Sequence, residues 1–219
     1  MAGFDLQTAL IKAFKETVLM SGISLLAAVI IGGVLGLLLY TTNSRLFVRN
    51  RIVNQTVGVI INMVRSVPFL ILLVLLIPLS KAIVHTTIGP TAVVIPLSIA
   101  AIAFFARLAD ASFSDVNQGV IEAAISTGAS KLSVIARILL PEALPSLVRN
   151  ITVTAVSLIG FSAMAGTVGG GGIGDLAIRY GYQRYQTNVM LVCVVLLIIL
   201  VQGVQLIGDL IAKYLDKKQ

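Results

Sequence analysis

"EAAISTGASKLSVIARILLPEAL", from Glu122 to Leu144, is the longest reasonably polar, helix-forming stretch in a chain of 219 residues. The runs on either side of it are apolar, so the fold turns on why an oily chain keeps such a piece between them. Val116–Ser126 reads as a helix that Thr127 and Gly128 break. Ser130 caps a second helix through Ile138–Leu140, with Leu132, Ile135, Ile138 and Leu139 on one face. Pro141 has no N–H to donate and should end that helix or open the next. The pattern predicts two short helices joined by a sharp turn.

The rest of the chain sets the environment. Hydrophobic residues make up 58% and charged residues 11%, whereas a soluble domain is about a quarter charged. That excess of apolar surface exceeds what one small core can hide, so lipid is the expected surrounding. Trp is absent, and the net charge is +7. Positive charge here implies no nucleic acid, because membrane proteins gather Lys and Arg in cytoplasmic loops. A lone cysteine, Cys193, allows no intrachain disulfide and suggests no metal cluster.

Continuous apolar runs, as opposed to alternating ones, predict helices and not a β-barrel. Five spans are expected over residues 18–40, 56–79, 86–106, 150–168 and 185–210. The chain reads as one transmembrane domain, 1–219, all-α. An odd number of spans puts the termini on opposite sides. The side of the C-terminus holds Arg45, Arg49, Arg51, Arg107, Lys131, Arg137, Arg149, Lys213, Lys217 and Lys218, against Lys12, Lys15, Lys81, Arg179 and Arg184 on the other. This asymmetry predicts an external N-terminus and a cytoplasmic C-terminus. The first run is too long for a signal-peptide core and follows Asp5 and Glu16, so no cleavage is expected. Residues 107–149 then form the largest cytoplasmic loop.

From pattern alone the loop has two readings: an amphipathic helix on the bilayer, or a knob for a soluble partner. Surface helices are rich in Lys and Arg, yet Lys131 and Arg137 are the only bases in Glu122–Leu144. Ala123, Ala124, Gly128 and Ala129 would allow a partner to approach closely. Glu122-Ala123-Ala124, Gly128 and Ile138-Leu139-Leu140-Pro141 resemble the "EAA–G–I-LP" loop of membrane permease subunits of bacterial ABC importers. With "NMVRSVPFLILLVLLIPL" (Asn62–Leu79) and "GFSAMAGTVGGGGIGDLAIRYGYQRY" (Gly160–Tyr185), the chain is most similar to methionine importer permeases. The resemblance implies a type I importer permease fold in the bacterial cytoplasmic membrane, working as two copies. It implies a cytoplasmic ATPase that binds ATP and Mg, and a substrate-binding lipoprotein outside. Glu122, Ala123, Ala124, Gly128, Ile138, Leu139 and Pro141 would then seat in the ATPase, and no cofactor is expected in this chain.

Other residues are candidates for chemistry. "GTVGGGGIGD" (Gly166–Asp175) is no phosphate loop, since no Gly-Lys-Ser/Thr is present and no strand precedes it. Its glycines, Gly169, Gly170, Gly171, Gly172 and Gly174, either end a helix and turn the chain or form an external loop beneath the delivering protein. Phe161 and Met164 are packing residues by pattern, while the resemblance places them on the closed translocation path, where Met164 would meet its copy. Arg65 and Asp209 are read as lying near cytoplasmic ends of their spans, able to snorkel. Pro68 should bend the second span, and Asn62 should bond a neighbouring helix. His85 lacks ligand partners, and no catalytic set is recognisable. Competing readings are a permease for another amino acid, a secondary transporter or channel, and a membrane scaffold. Ion coupling needs ionisable groups near mid-membrane, and the pattern places none there.

Overall fold

The structure, a computed structural model, describes residues 5–216. Helix α1 (Leu6–Asn43) is followed by α2 (Arg51–Ser66), α3 (Phe69–Leu75), α4 (Ile77–Val84) and α5 (Pro90–Ser114). Next come α6 (Gln118–Ser126), α7 (Lys131–Val168), α8 (Gly172–Leu176) and α9 (Thr187–Leu215). Helices α1, α5, α7 and α9 are each long and apolar enough to span a bilayer, and α2 with α3 passes that test only as a pair, which makes the count five where the pair crosses as one span.

Two helices differ from the expected spans. The one that carries the first begins at Leu6, ahead of residue 18, with helical hydrogen bonding running through Lys12, Lys15 and Glu16. Asp5 caps that start by accepting from the Gln7 N–H at 3.1 Å. At 1.5 Å per residue α1 is about 57 Å long, far more than the ~30 Å hydrocarbon layer. The expected second span is broken by 102° between α2 and α3. Pro68 forces Val67 into an extended conformation (φ −85°, ψ 125°), as residues before proline prefer, so the expected bend is realised.

Helix α5 is the central post, packed by α1, α2 and α7. Gly32 and Gly36 of α1 bring two backbones together: a Cβ on Gly36 would lie 2.6 Å from the Ala109 Cβ and 2.7 Å from the Ala106 carbonyl. Small residues are the usual means of helix contact in lipid, where no hydrophobic force separates helix from solvent. The Asn62 expectation also holds, since the Arg107 Nε donates to its Oδ1 at 3.2 Å. Arg107 also donates to the Gly58 carbonyl and pairs with Asp110 at 3.5 Å.

Candidate coupling knob and translocation path

The stretch Glu122–Leu144 becomes a knob at one end of the bundle. Helix α6 ends in a double hydrogen bond: the Ala129 N–H donates to the Ala124 carbonyl at 3.2 Å and the Gly128 N–H to Ile125 at 3.0 Å. This Schellman closure needs a left-handed residue at its centre, and Gly128 has φ +85°. Nothing lies within 4 Å of a Cβ built there, so the glycine serves the turn and leaves open space in front. Ser130 caps α7 by accepting from the Ser133 N–H.

Two expectations for the knob need correction, while that for Pro141 holds: it stands in the first turn of the α-helical part Leu140–Ala165. The turn Lys131–Val134 joins that part without a break through a π-turn at Ile135–Leu139, and this register change accommodates the ring and the missing donor. Leu132 does not share the buried face, being 76% exposed, while Val134 and Leu139 are fully buried. Helix α6 starts at Gln118, after α5 has continued to Ser114, so the expected loop 107–149 is mostly helix.

The knob stands on a firm base. Ile121, Val134, Leu139 and Ala143 share a core with Tyr40, Phe47 and Phe113, and Ala124 and Ile138 pack against it. The ring of Tyr40 lies 5.8 Å from Phe47 and 6.1 Å from Phe113. The Lys131 ammonium donates to the Phe47 carbonyl at 2.9 Å, tying the knob to the α1–α2 connection. Pattern reading missed Phe47 and Val120; Val120, like Leu132, is an exposed apolar side chain on a polar knob. Glu122, Ala123 and Pro141 are exposed, and Glu122 makes no ion pair among the described residues. Pro141 and Glu142 edge a cleft of about 410 Å³ that reaches Asp216, whose carboxylate pairs with Arg149 at 3.1 Å.

At the opposite end the glycines fold inward. A Cβ on Gly174 would lie 2.2 Å from the Ala163 carbonyl, and one on Gly170 2.7 Å from the Ala165 carbonyl. The Gly172 N–H donates to Glu16 at 2.8 Å, the Ile173 N–H to Thr17 at 2.9 Å, and the Gly89 N–H to the Gly169 carbonyl at 2.9 Å. Gly170, Gly172 and Gly174 are buried. These glycines therefore lock α8 against α1 and α7, and only Gly169 and Gly171 are partly open.

Between the ends, α7 carries a face that no other helix among the described residues covers. Val153, Gly160 and Met164 are exposed along it at helical spacing, and Met164 is 51% exposed. Phe161, next to this stripe, stacks on Phe69 of α3 with ring centroids 4.8 Å apart. The knob and this stripe belong to one continuous helix.

Arg65 stands in the last turn of α2, beside the break. It shares a cavity of about 300 Å³ with Phe69, Phe104 and Phe161, and Phe104 lies one turn of α5 before Arg107. Asp209 is six residues from the end of α9, as expected, and is exposed without a described partner.

The family whose description is "Binding-protein-dependent transport system inner membrane component" matches residues 28–219. The chain belongs to that family. The permease is 46% identical over 209 residues to the probable D-methionine transport system permease protein MetI of Vibrio cholerae, covering 95% of this chain and 93% of that one. It is 44% identical over 181 residues to the methionine import system permease protein MetP of Bacillus subtilis, covering 83% and 82%. A solved chain of the MetNI methionine ABC transporter in inward-facing conformations superimposes with a TM-score of 0.95 at 39% identity, covering 98% and 100%. An amino acid ABC transporter chain with a TM-score of 0.78 at 18% identity shares the fold. This permease is thus a multi-pass inner-membrane transport subunit with the type I importer fold.

Proposed function

We propose that this permease forms the path of an ATP-driven importer for methionine, as the D-form, the L-form or both. Two copies enclose the path, a cytoplasmic ATPase binds ATP and Mg and performs the hydrolysis, and an extracytoplasmic lipoprotein delivers the substrate. The face holding α6 and the C-terminus is cytoplasmic, and the N-terminus is outside. The positive-inside rule supports this orientation; of the bases counted for it, Lys217 and Lys218 lie outside the described residues.

The observation that carries the reading is the continuity of α7. It starts in a knob braced by Lys131 and the Tyr40–Phe47–Phe113 cluster, in a chain whose near full-length relatives are named methionine permeases. It ends beyond Met164, about 50 Å away at helical rise. Glu122, Ala123, Ala124, Gly128 and Pro141 present the knob to the ATPase, while Ile138 and Leu139 anchor it. A shift of the knob by closing ATPases moves Phe161 and Met164 as parts of one rod. Met164 of each copy closes the path, and rod movement separates the two.

Reconstitution of the permease with its ATPase and binding protein tests this. ATP-dependent accumulation of methionine, with little of other amino acids, is expected. Uptake without ATP, or none by the purified assembly, refutes the reading; selective uptake of another amino acid refutes its substrate.

A further inference from the structure

Two arginines, Arg65 of α2 and Arg107 of α5, lie along the packed helices of this bundle, and their environments differ. Arg107 is fully engaged by the Gly58 carbonyl, Asn62 and Asp110. Arg65 is two turns beyond Gly58 along α2, exposed, and makes no hydrogen bond or ion pair among the described residues. It lies 14 residues from the start of α2, about 21 Å along the helix. An arginine of a membrane bundle that pairs with nothing among the described residues of the chain and faces a cavity marks a substrate or ion pathway.

Its surroundings name the kind of substrate. The break at Pro68 turns α3 aside and opens the cavity of about 300 Å³ in front of Arg65, within the size range of small-molecule sites. Phe69, Phe104 and Phe161 supply aromatic surface, and the remaining lining is aliphatic with no carboxylate. A planar cation binds a carboxylate through two parallel hydrogen bonds, and aromatic rings favour a thioether sulfur at about 5 Å. Phe161 belongs to the stripe-bearing part of α7, so the cavity adjoins the proposed path.

We infer that Arg65 is the carboxylate-recognition residue of the translocation path. Its guanidinium pairs with the α-carboxylate of a passing amino acid, while Phe69, Phe104 and Phe161 receive the side chain. The assignment rests on the reading of the chain as an amino-acid permease. It places a weak, transient site within the membrane, beyond any selection made by the binding protein.

The test uses a Cys193→Ala chain, with and without Arg65→Cys, assembled with its ATPase and binding protein in proteoliposomes. Methionine is the probe. Losing one charge-assisted bidentate contact should lower the uptake rate roughly tenfold or more, with ATPase binding intact. Treatment with 2-aminoethyl methanethiosulfonate, which attaches an ammonium to the introduced thiol, should restore most of the rate, and methyl methanethiosulfonate should not. Unchanged uptake in Arg65→Cys, or equal rescue by both reagents, overturns the assignment. Failure of Arg65→Cys to assemble also overturns it, since Arg65 would then be a packing contact between copies. If the Arg65-bearing parent imports no amino acid, the functional reading falls first and the assignment with it.

Discussion

Replacing Gly128 separates the knob's internal needs from its contact with a partner. The backbone at φ +85° tolerates Asn and Asp better than other side chains, and no atom stands within 4 Å of the new Cβ. Gly128→Asn should therefore cost the permease only about 1 kcal/mol of local strain. Gly128→Asp has nearly the same shape, so any difference between the two reports the charge. If the knob sits desolvated in a groove of the ATPase, an unpaired carboxylate there costs about 3 kcal/mol, or roughly a hundredfold in binding. Permease accumulation and thermal stability should match in both variants, while ATPase affinity by titration, and ATP-driven uptake, should collapse only in Gly128→Asp. Equal behaviour of the two variants in both assays would refute the buried contact. A common loss of folding would show instead that the turn itself was the weak point.

Gly36→Leu should destabilise the permease by about 1–3 kcal/mol, read as a lower unfolding midpoint in detergent, because its Cβ already meets Ala109 and Ala106; Gly22→Leu, with nothing within 4 Å, should be close to neutral. Met164→Ala should raise leak or basal ATP hydrolysis and Met164→Phe should slow uptake; parental behaviour of both in a flux assay would reduce Met164 to a packing residue. In the Cys193→Ala chain, single cysteines near Asn43 or at Ser133 should be shielded from an impermeant thiol reagent in intact cells, and ones near Thr87 or at Gln183 should react. Labelling of Ser133→Cys from outside would reverse the orientation and end the coupling reading.

Some of this architecture can be read directly from residue order, because the physics involved is local. Lipid offers backbone groups no hydrogen bonds, so apolar runs of about 20 residues announce spans without knowledge of their neighbours. The turn at Gly128 and the cap at Ser130 need only the geometry of a few adjacent peptides. The break at Pro68 follows from a missing donor and a steric bias on Val67. At Pro141 the same rule marks the start of the α-helical part Leu140–Ala165, while a π-turn upstream keeps the helical rod continuous from Lys131 to Val168. Leu132 fits an apolar face by spacing, yet which face becomes buried depends on where the Tyr40–Phe47–Phe113 cluster stands. The glycines before Asp175 suggest a free loop, but α1 brings Glu16 and Thr17 to their amides and α7 leaves no room for a side chain. Arg65 shows the limit most clearly. The cavity it faces depends on the bend of α2 against α3 and on where Phe104 and Phe161 are brought, and both are set by packing among residues far apart in the chain.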